Sequence, residues 1–364
     1  MILEEISILD FKNIEECHLH FSPKINCFTG NNGMGKTSLL DAIYYLSFTK
    51  SFLQATDTHS IREGKECFFL QGIYSYDEQK HEFSCGLRRE GKKQFRKNKK
   101  EYERLSDHIG EIPLVLSSPS DLSLVLGGSE ERRKFVDMVI SQYDRNYLYA
   151  VIKYLKNLKE RNYLLRTYGK NIDKSLLTIY EEQMKMFGET IFEGRRTFAE
   201  RFSFVFQEFY NRIASKKERA SISYHSDIYS HSFEELFSLS LERDFLLGYT
   251  TKGVHKDDFD FFIDGRKIKE GSQGQIKTFL VSLRFAQFNF LKSICQRKPI
   301  LLLDDLFDKL DLERVEEIIS IVSEDDFGQI FLTDTNRNHL QEIVRKQPTD
   351  YNLFDVNKGN IQRV

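Results

Sequence analysis

Tryptophan is absent from this 364-residue chain, proline and cysteine number five each, and neither sign of charge prevails. Aromatic packing falls to 31 Phe and 17 Tyr, ample material for a core. There is no Pro-rich linker, internal repeat or low-complexity tract. Cys17, Cys27, Cys67, Cys85 and Cys295 are scattered, odd in number and never spaced C-x-x-C. That argues against a zinc site or a disulfide framework and for a reducing compartment. No apolar run approaches the ~18 residues of a membrane span. Met1-Ile2-Leu3-Glu4-Glu5 lacks the basic start and apolar core of a signal peptide, so a soluble cytoplasmic protein is expected. With 53 Lys and Arg against 55 Asp and Glu the formal net charge is −2, and any nucleic-acid surface must be local. The length suggests about two domains.

What is present is most distinct at Ile25–Leu40. The apolar run Ile25–Phe28 leads into Gly30, Asn31, Asn32, Gly33, Met34, Gly35, Lys36, Thr37 and Ser38, and an apolar stretch of helical period follows. This is G-x-x-x-x-G-K-T between a strand and a helix, the spelling of a phosphate-binding P-loop. Glycines let successive backbone N–H groups turn inward, and the helix start adds orphan donors and the positive dipole end. Lys36 would reach the β- and γ-phosphates, and Thr37 would hold Mg²⁺. The chain is expected to bind ATP.

Strands are expected within the first thirty residues and at Cys67–Tyr74, His81–Leu87, Gln94–Lys97 and Ile112–Leu116, with Ser117–Gly128 a loop. From about Ser129 to Ser215 the pattern is helical and charged. A helix from Lys174 to Ser215 would run on the order of 60 Å, with Gly188 and Gly194 marking a bend or a close helix contact. Strand character returns at Ser221–Tyr224, and Phe259–Ile268 reads as a hairpin turning at Asp264-Gly265. A helix over Gln275–Cys295, the strand Ile300–Leu303, a helix near 312–322, the strand Gln329–Leu332 and a short helix after Asn336 follow. Strands at Asn352–Val356 and Ile361–Val364 close the chain.

Ile300-Leu301-Leu302-Leu303-Asp304-Asp305 is an apolar strand ending in two carboxylates, the pattern of a Walker B motif. Asp304 is placed to serve Mg²⁺, and Asp305 to polarise the attacking water as general base. Gly271-Ser272-Gln273-Gly274-Gln275, at a helix start about thirty residues earlier, is similar to the signature motif of ABC-type ATPases. Read alone, the same letters spell a Gly-Ser helix cap. Asp308-Lys309-Leu310-Asp311 resembles their D-loop through Asp308 and Asp311. The resemblance implies that ATP is sandwiched between two heads, the P-loop of one meeting Ser272, Gln273, Gly274 and Gln275 of the other.

The chain as a whole resembles the RecF family of bacterial repair ATPases. Gly253-Val254-His255-Lys256-Asp257-Asp258 is similar to that family's G-P-H-R-D-D segment. Ser118-Pro119-Ser120-Asp121-Leu122 with Glu131-Arg132-Arg133-Lys134-Phe135 resembles its S-P-E-D-L and R-R-x-F stretch, and Gly328–Thr333 its strand after Walker B. The fold so implied is α/β: an ABC-type ATPase head with a P-loop sheet plus an antiparallel β region, and an inserted, mostly helical lobe. The expected division is head at 1–116, lobe at 117–220, head again at 221–364. The resemblance implies a weak DNA-dependent ATPase that dimerises on ATP, binds DNA, and acts with RecR, and in many bacteria with RecO, to direct RecA onto single-stranded gaps. Val254 and Lys256 depart from the family's Pro and Arg, and Ser51-Phe52-Leu53 stands where it tends to have an Arg. Gln54 and Gln71 both remain open as the Q-loop glutamine, and Asp334, Thr335 and Asn336 as the switch residue. Other readings are an SMC- or Rad50-type head, for which roughly 110 residues between Ser106 and Ala214 are too few for a long coiled-coil arm; a transport ATPase subunit; and a clamp that binds ATP without turnover. The last is kept open by Asp305 in place of Glu.

DNA binding needs cations set to neutralise phosphates. Arg88, Arg89, Lys92, Lys93, Arg96, Lys97, Lys99 and Lys100 are eight cations against one Glu, on strands and turns that send about half to each face. Lys216, Lys217 and Arg219, and the pair Arg132-Arg133, are weaker alternatives. No aromatic-interleaved platform stands out, which favours the backbone of a duplex or a single/double-strand junction over base reading.

Overall fold

The computed structural model describes residues 1–214, 218–305, 317–318, 320–321, 326–335 and 350–364. The strands β1 (Ile2–Phe11), β2 (Ile14–His20) and β3 (Ile25–Thr29) open the chain, followed by helix α1 (Lys36–Phe48). Next come β4 (Cys67–Tyr76), β5 (Gln79–Arg88), β6 (Gln94–Lys97), β7 (Lys100–Glu101) and β8 (Leu114–Ser117). Four helices follow: α2 (Leu122–Leu126), α3 (Ser129–Ser141), α4 (Arg145–Tyr168) and α5 (Lys174–Ile213). Then β9 (Ala220–His225), α6 (Phe233–Leu247), β10 (Asp258–Ile263), β11 (Arg266–Lys267) and α7 (Gln273–Cys295). The chain closes with β12 (Ile300–Leu303), β13 (Ile330–Asp334), β14 (Tyr351–Asn357) and β15 (Asn360–Arg363). The D-loop residues Asp308 and Asp311, most of the helix expected near 312–322, and Asn336 lie outside the described residues.

Contacts divide the chain into two units, Met1–Asp121 with Leu280–Val364, and Leu122–Phe279. The boundary thus falls inside α7, not at 220: residues 221–279, with three strands and α6, group with the helices.

The first unit holds two six-stranded sheets. One is ordered β15-β14-β3-β13-β12-β8, parallel except for β15, and the other is the antiparallel β2-β1-β4-β5-β6-β7. Strands β3, β8, β12 and β13 are buried along their whole length, as unbroken apolar runs require when both faces of a parallel sheet are covered. In β1 the alternation is only partial, because a bulge between Leu3 and Glu5 shifts the register and puts Leu3, Ile6 and Ile8 all inside. Helix α1 packs against strands of both sheets and is buried nearly all round, wider than the single stripe its sequence suggests. Phe11, Tyr45 and Phe68 form an edge-to-face cluster on its antiparallel side. The buried amide of Gln329 clips the sheets together, accepting from Leu3 N–H at 2.7 Å and donating to the carbonyls of Leu3 and Ser22.

In the second unit α5 runs for 40 residues. Its two glycines mark close contacts. A Cβ on Gly188 would lie 2.3 Å from the Phe233 ring, and one on Gly194 2.5 Å from Tyr147. Two buried clusters of charge and one half-buried pair tie the helices to the loops. Arg161 binds Glu181, Asp244 at 2.8 Å and the Thr250 hydroxyl at 2.7 Å. Arg195 grips Asp137 through two bonds and reaches Asp257 at 3.0 Å. Arg132 forks onto Asp258. The Gly253–Asp258 and Arg132-Arg133 stretches are therefore structural partners, and Arg132 and Arg133, whose guanidinium donates to Asp257 O, are committed within the unit. The β10–β11 turn is as read, with Asp264 and Gly265 both at positive φ. Helix α6 goes unread in the sequence. Its capping box, Ser232 with Glu235, is intact, but its buried stripe includes Ser240 and Asp244 while Leu239 and Leu246 are exposed.

Candidate functional site

Because β3, β13 and β12 are parallel neighbours, their C-terminal ends share one sheet edge, where ligands bind in such sheets. Thr29 leads there into the glycine-rich loop, and Leu303 into Asp304 and Asp305. Gly30 has φ +153°, and a Cβ on it would sit 2.3 Å from the Val356 carbonyl, so only glycine passes. The buried Lys36 ammonium donates to the Gly30 and Asn31 carbonyls at 2.7 and 3.2 Å. Asn31, Asn32 and Gly33 are exposed, Met34, Thr37 and Ser38 half-buried, and Gly35 buried. Among the described residues no side chain caps α1 and no acidic residue stands in its first turn, which leaves its dipole end suited to an anion.

Thr37 Oγ1 donates to Asp304 Oδ1 at 3.1 Å, and Thr333 Oγ1 donates to the same carboxylate at 2.7 Å. Thr333 also accepts from the Asp305 N–H at 2.9 Å, and Asp305 sits at φ +45°, a left-handed turn that Asp tolerates better than most residues. Burial pushes the Asp304 carboxyl up, opposed by the Thr333 hydroxyl; the charge of Asp305 adds to the rise, and Thr37 and Lys36 oppose it. A buried carboxylate beside a threonine hydroxyl is an all-oxygen donor set that fits Mg²⁺. Thr333 is the residue sequence reading passed over. Its signal is a hydroxyl near the end of an otherwise apolar strand lying between the two motif strands.

The signature turn belongs to the second unit. Ser272 N–H donates to Gln275 Oε1 at 2.8 Å, and Gln275 N–H to Ser272 Oγ at 3.2 Å, a reciprocal capping box. Ser272 and Gln273 are exposed, Gly274 and Gln275 half-buried. Gln275 Nε2 also donates to Glu218 at 2.6 Å.

The basic stretch is split by the pleat. Lys93, Phe95 and Lys97 face inward: Lys93 Nζ binds Asp57 at 2.6 Å and the Thr49 carbonyl, and Lys97 pairs with Glu111 at 2.6 Å. Arg88, Arg89, Lys92, Arg96, Lys99 and Lys100 are exposed. Asp121 of the S-P-S-D-L stretch forms a buried two-bond pair with Arg284 of α7. Gln54 is exposed in the loop after α1, and Gln71 lies within β4.

The family model described as RecF/RecN/SMC N terminal domain matches residues 2–359. The DNA replication and repair protein RecF of Bacteroides thetaiotaomicron is 50% identical over 366 residues, covering 100% of this chain and 99% of the relative. The chain belongs to the RecF family. RecF of Porphyromonas gingivalis (strain ATCC 33277) is 46% identical over 365 residues, 99% of this chain and 100% of that one. A solved structure described as the recombination mediator protein RecF-ATP in the RecFOR pathway matches with TM-score 0.90 at 26% identity, over 100% of this chain and 97% of that one. An Smc head domain from Pyrococcus furiosus matches with TM-score 0.59 at 15% identity, over 100% of this chain and 96% of that one, a likeness of fold alone. The fold is that of the ABC-type ATPase heads which RecF shares with SMC. Among the described residues no helix is long and apolar enough to cross a membrane.

Proposed function

We propose that this chain is a cytoplasmic, ATP-driven DNA-binding switch of recombinational repair. The observation that carries the reading is the hydrogen-bonded line Thr37, Asp304, Thr333, Asp305, set at the sheet edge beside a P-loop whose helix start is open to an anion. In this reading Gly30 to Ser38 bind ATP, Thr37 and Asp304 hold Mg²⁺, and Asp305 positions the attacking water. Mg²⁺, when bound, neutralises charge between the β- and γ-phosphates. Ser272 keeps its role as helix cap, since a hydroxyl that accepts one bond still has a proton to donate, and offers that proton to the γ-phosphate on a second copy of the chain. Asp308 and Asp311 are assigned to the D-loop by their resemblance to that motif. ATP thus acts as a dimer clasp that slow hydrolysis releases, and the helical unit is the lobe inserted into the head.

DNA is held through phosphate contacts by the outward cations Arg88, Arg89, Lys92, Arg96, Lys99 and Lys100. Family membership supports RecR and RecO as partners and RecA loading at gaps as the outcome. A clamp with negligible turnover is the second reading, favoured by the shorter carboxylate of Asp305.

The test is molecular mass in solution with and without ATP and Mg²⁺. A monomer that dimerises with ATP is expected, with the response lost in Lys36→Met. A dimer insensitive to nucleotide would sink the sandwich. For DNA, Lys92→Glu with Arg96→Glu and Lys99→Glu should weaken binding and flatten its salt dependence, while Lys93→Glu should chiefly lower stability.

A further inference from the structure

The antiparallel sheet carries a side-chain group that the nucleotide chemistry does not use. His18 and His20 are two residues apart on β2, so the pleat sets both on one face. Across the ladder Ser7 pairs with His18 and Glu5 with His20, bringing the Glu5 carboxylate to both rings. Glu5 lies 3.8 Å from His18 Nε2 and 3.5 Å from His20 Nδ1, and the potential ligand atoms of the three residues all lie within 4.8 Å of one another. Ser7 Oγ is 2.8 Å from His18 Nδ1. In the tautomer whose Nδ1–H donates to that hydroxyl, the Nε2 lone pair is left toward Glu5.

We propose that Glu5, His18 and His20 bind one divalent first-row transition ion such as zinc. Two imidazoles and a carboxylate are the donors such ions take, whereas Mg²⁺ takes oxygens and keeps several waters. Around a tetrahedral ion with bonds of about 2.0–2.1 Å, ligand atoms stand roughly 3.3 Å apart. The two Glu–His gaps are close to that already, and the imidazoles, with side chains 54% and 66% exposed, are free to rotate the remainder. A fourth position stays open to water. Such an ion would staple β1 to β2, the hairpin whose turn puts Asn13 Nδ2 at 3.4 Å from the Gly33 carbonyl of the nucleotide loop. Its role there is to stiffen that hairpin, separate from hydrolysis.

Calorimetric titration of the full chain with Zn²⁺, in buffer already holding Mg²⁺, tests this. One ion per chain is expected, bound at least tenfold more weakly by His18→Ala and by His20→Ala. Equal metal-free melting temperatures will establish that these exposed substitutions leave the fold intact. With Cu²⁺ as the second probe, electron paramagnetic resonance should show two coupled imidazole nitrogens in the parent chain and one in either variant. The proposal falls if the parent chain takes up no Zn²⁺, if a chain carrying both His18→Ala and His20→Ala binds as the parent does, or if Co²⁺ spectra report sulfur ligation.

Discussion

Helices α1 and α7 both begin at glycine-containing turns, and their first turns are built in opposite ways. That of α1 has no side-chain cap, and its own Lys36 is buried and held by loop carbonyls. That of α7 caps itself, through Ser272 and Gln275, with Glu218 bonded to the glutamine. The first leaves its helix start open, whereas the second is locally satisfied; in the proposed function the first holds a phosphate by itself and the second takes one only if it is presented. Spare donors at a helix start are costly when buried and unpaired, so a turn that keeps them open is built for a ligand.

Substitutions can break this contrast, and Asp305→Asn should have the largest effect. If Asp305 is the base, turnover measured by phosphate release falls about 10²–10⁴-fold while ATP binding persists and the dimer is trapped; normal turnover would remove Asp305 from that role. Lys36→Met comes next. Losing a buried, charge-assisted contact to phosphate should weaken ATP binding about 10–100-fold, read by nucleotide titration. Ser272→Arg should leave ATP binding by the single chain unchanged within about twofold and abolish ATP-dependent dimerisation. If it weakened binding to the monomer instead, the contrast between the two turns would be wrong. Glu218→Gln, by removing a negative charge near the second turn, should tighten the dimer by about 0.3–1 kcal/mol, measured by sedimentation.

The two units are also comparable through one histidine in each. Burial pushes His108 in the first unit and His255 in the second down to about 4, against the pull of the Leu46 and Thr250 carbonyls. Unfolded histidine titrates near 6.5. Between about 6.5 and 4 the unfolded chain therefore binds protons that the folded chain refuses, and stability falls on acidification by about 1.4 kcal/mol per pH unit for each. Denaturant unfolding at pH 7 and pH 5 checks this, and His108→Gln should reduce the slope by one histidine's share.

Much of the candidate site's local structure was legible in the sequence because its parts are local. The P-loop spelling places strand, glycines, lysine and threonine within a dozen residues, and Walker B is a strand with its carboxylates attached. Buried parallel strands, the Asp264-Gly265 turn and the length of α5 follow from short-range pattern in the same way. Helix α6 was missed because its buried face accepts Ser240 and Asp244 to serve the Arg161 cluster, which blurs the apolar stripe. The inward turn of Lys93 and Lys97 could not be read either, since their partners Asp57 and Glu111 arrive from other segments.

What the sequence by itself determined is the glycine-rich loop between strand and helix, the strand that ends in Asp304 and Asp305, and the family, the first two written in residues that neighbour one another along the chain. Only the tertiary structure decided that β13 lies between the strands of those two motifs, so that Thr333 joins Asp304 to Asp305. It likewise decided that Gly188 and Gly194 admit Phe233 and Tyr147 where a bend was the other possibility, and that Glu5 meets His18 and His20. The reason is physical. Periodicity reports which side chains share a face of one element, whereas strand order and register set which faces meet across hundreds of residues.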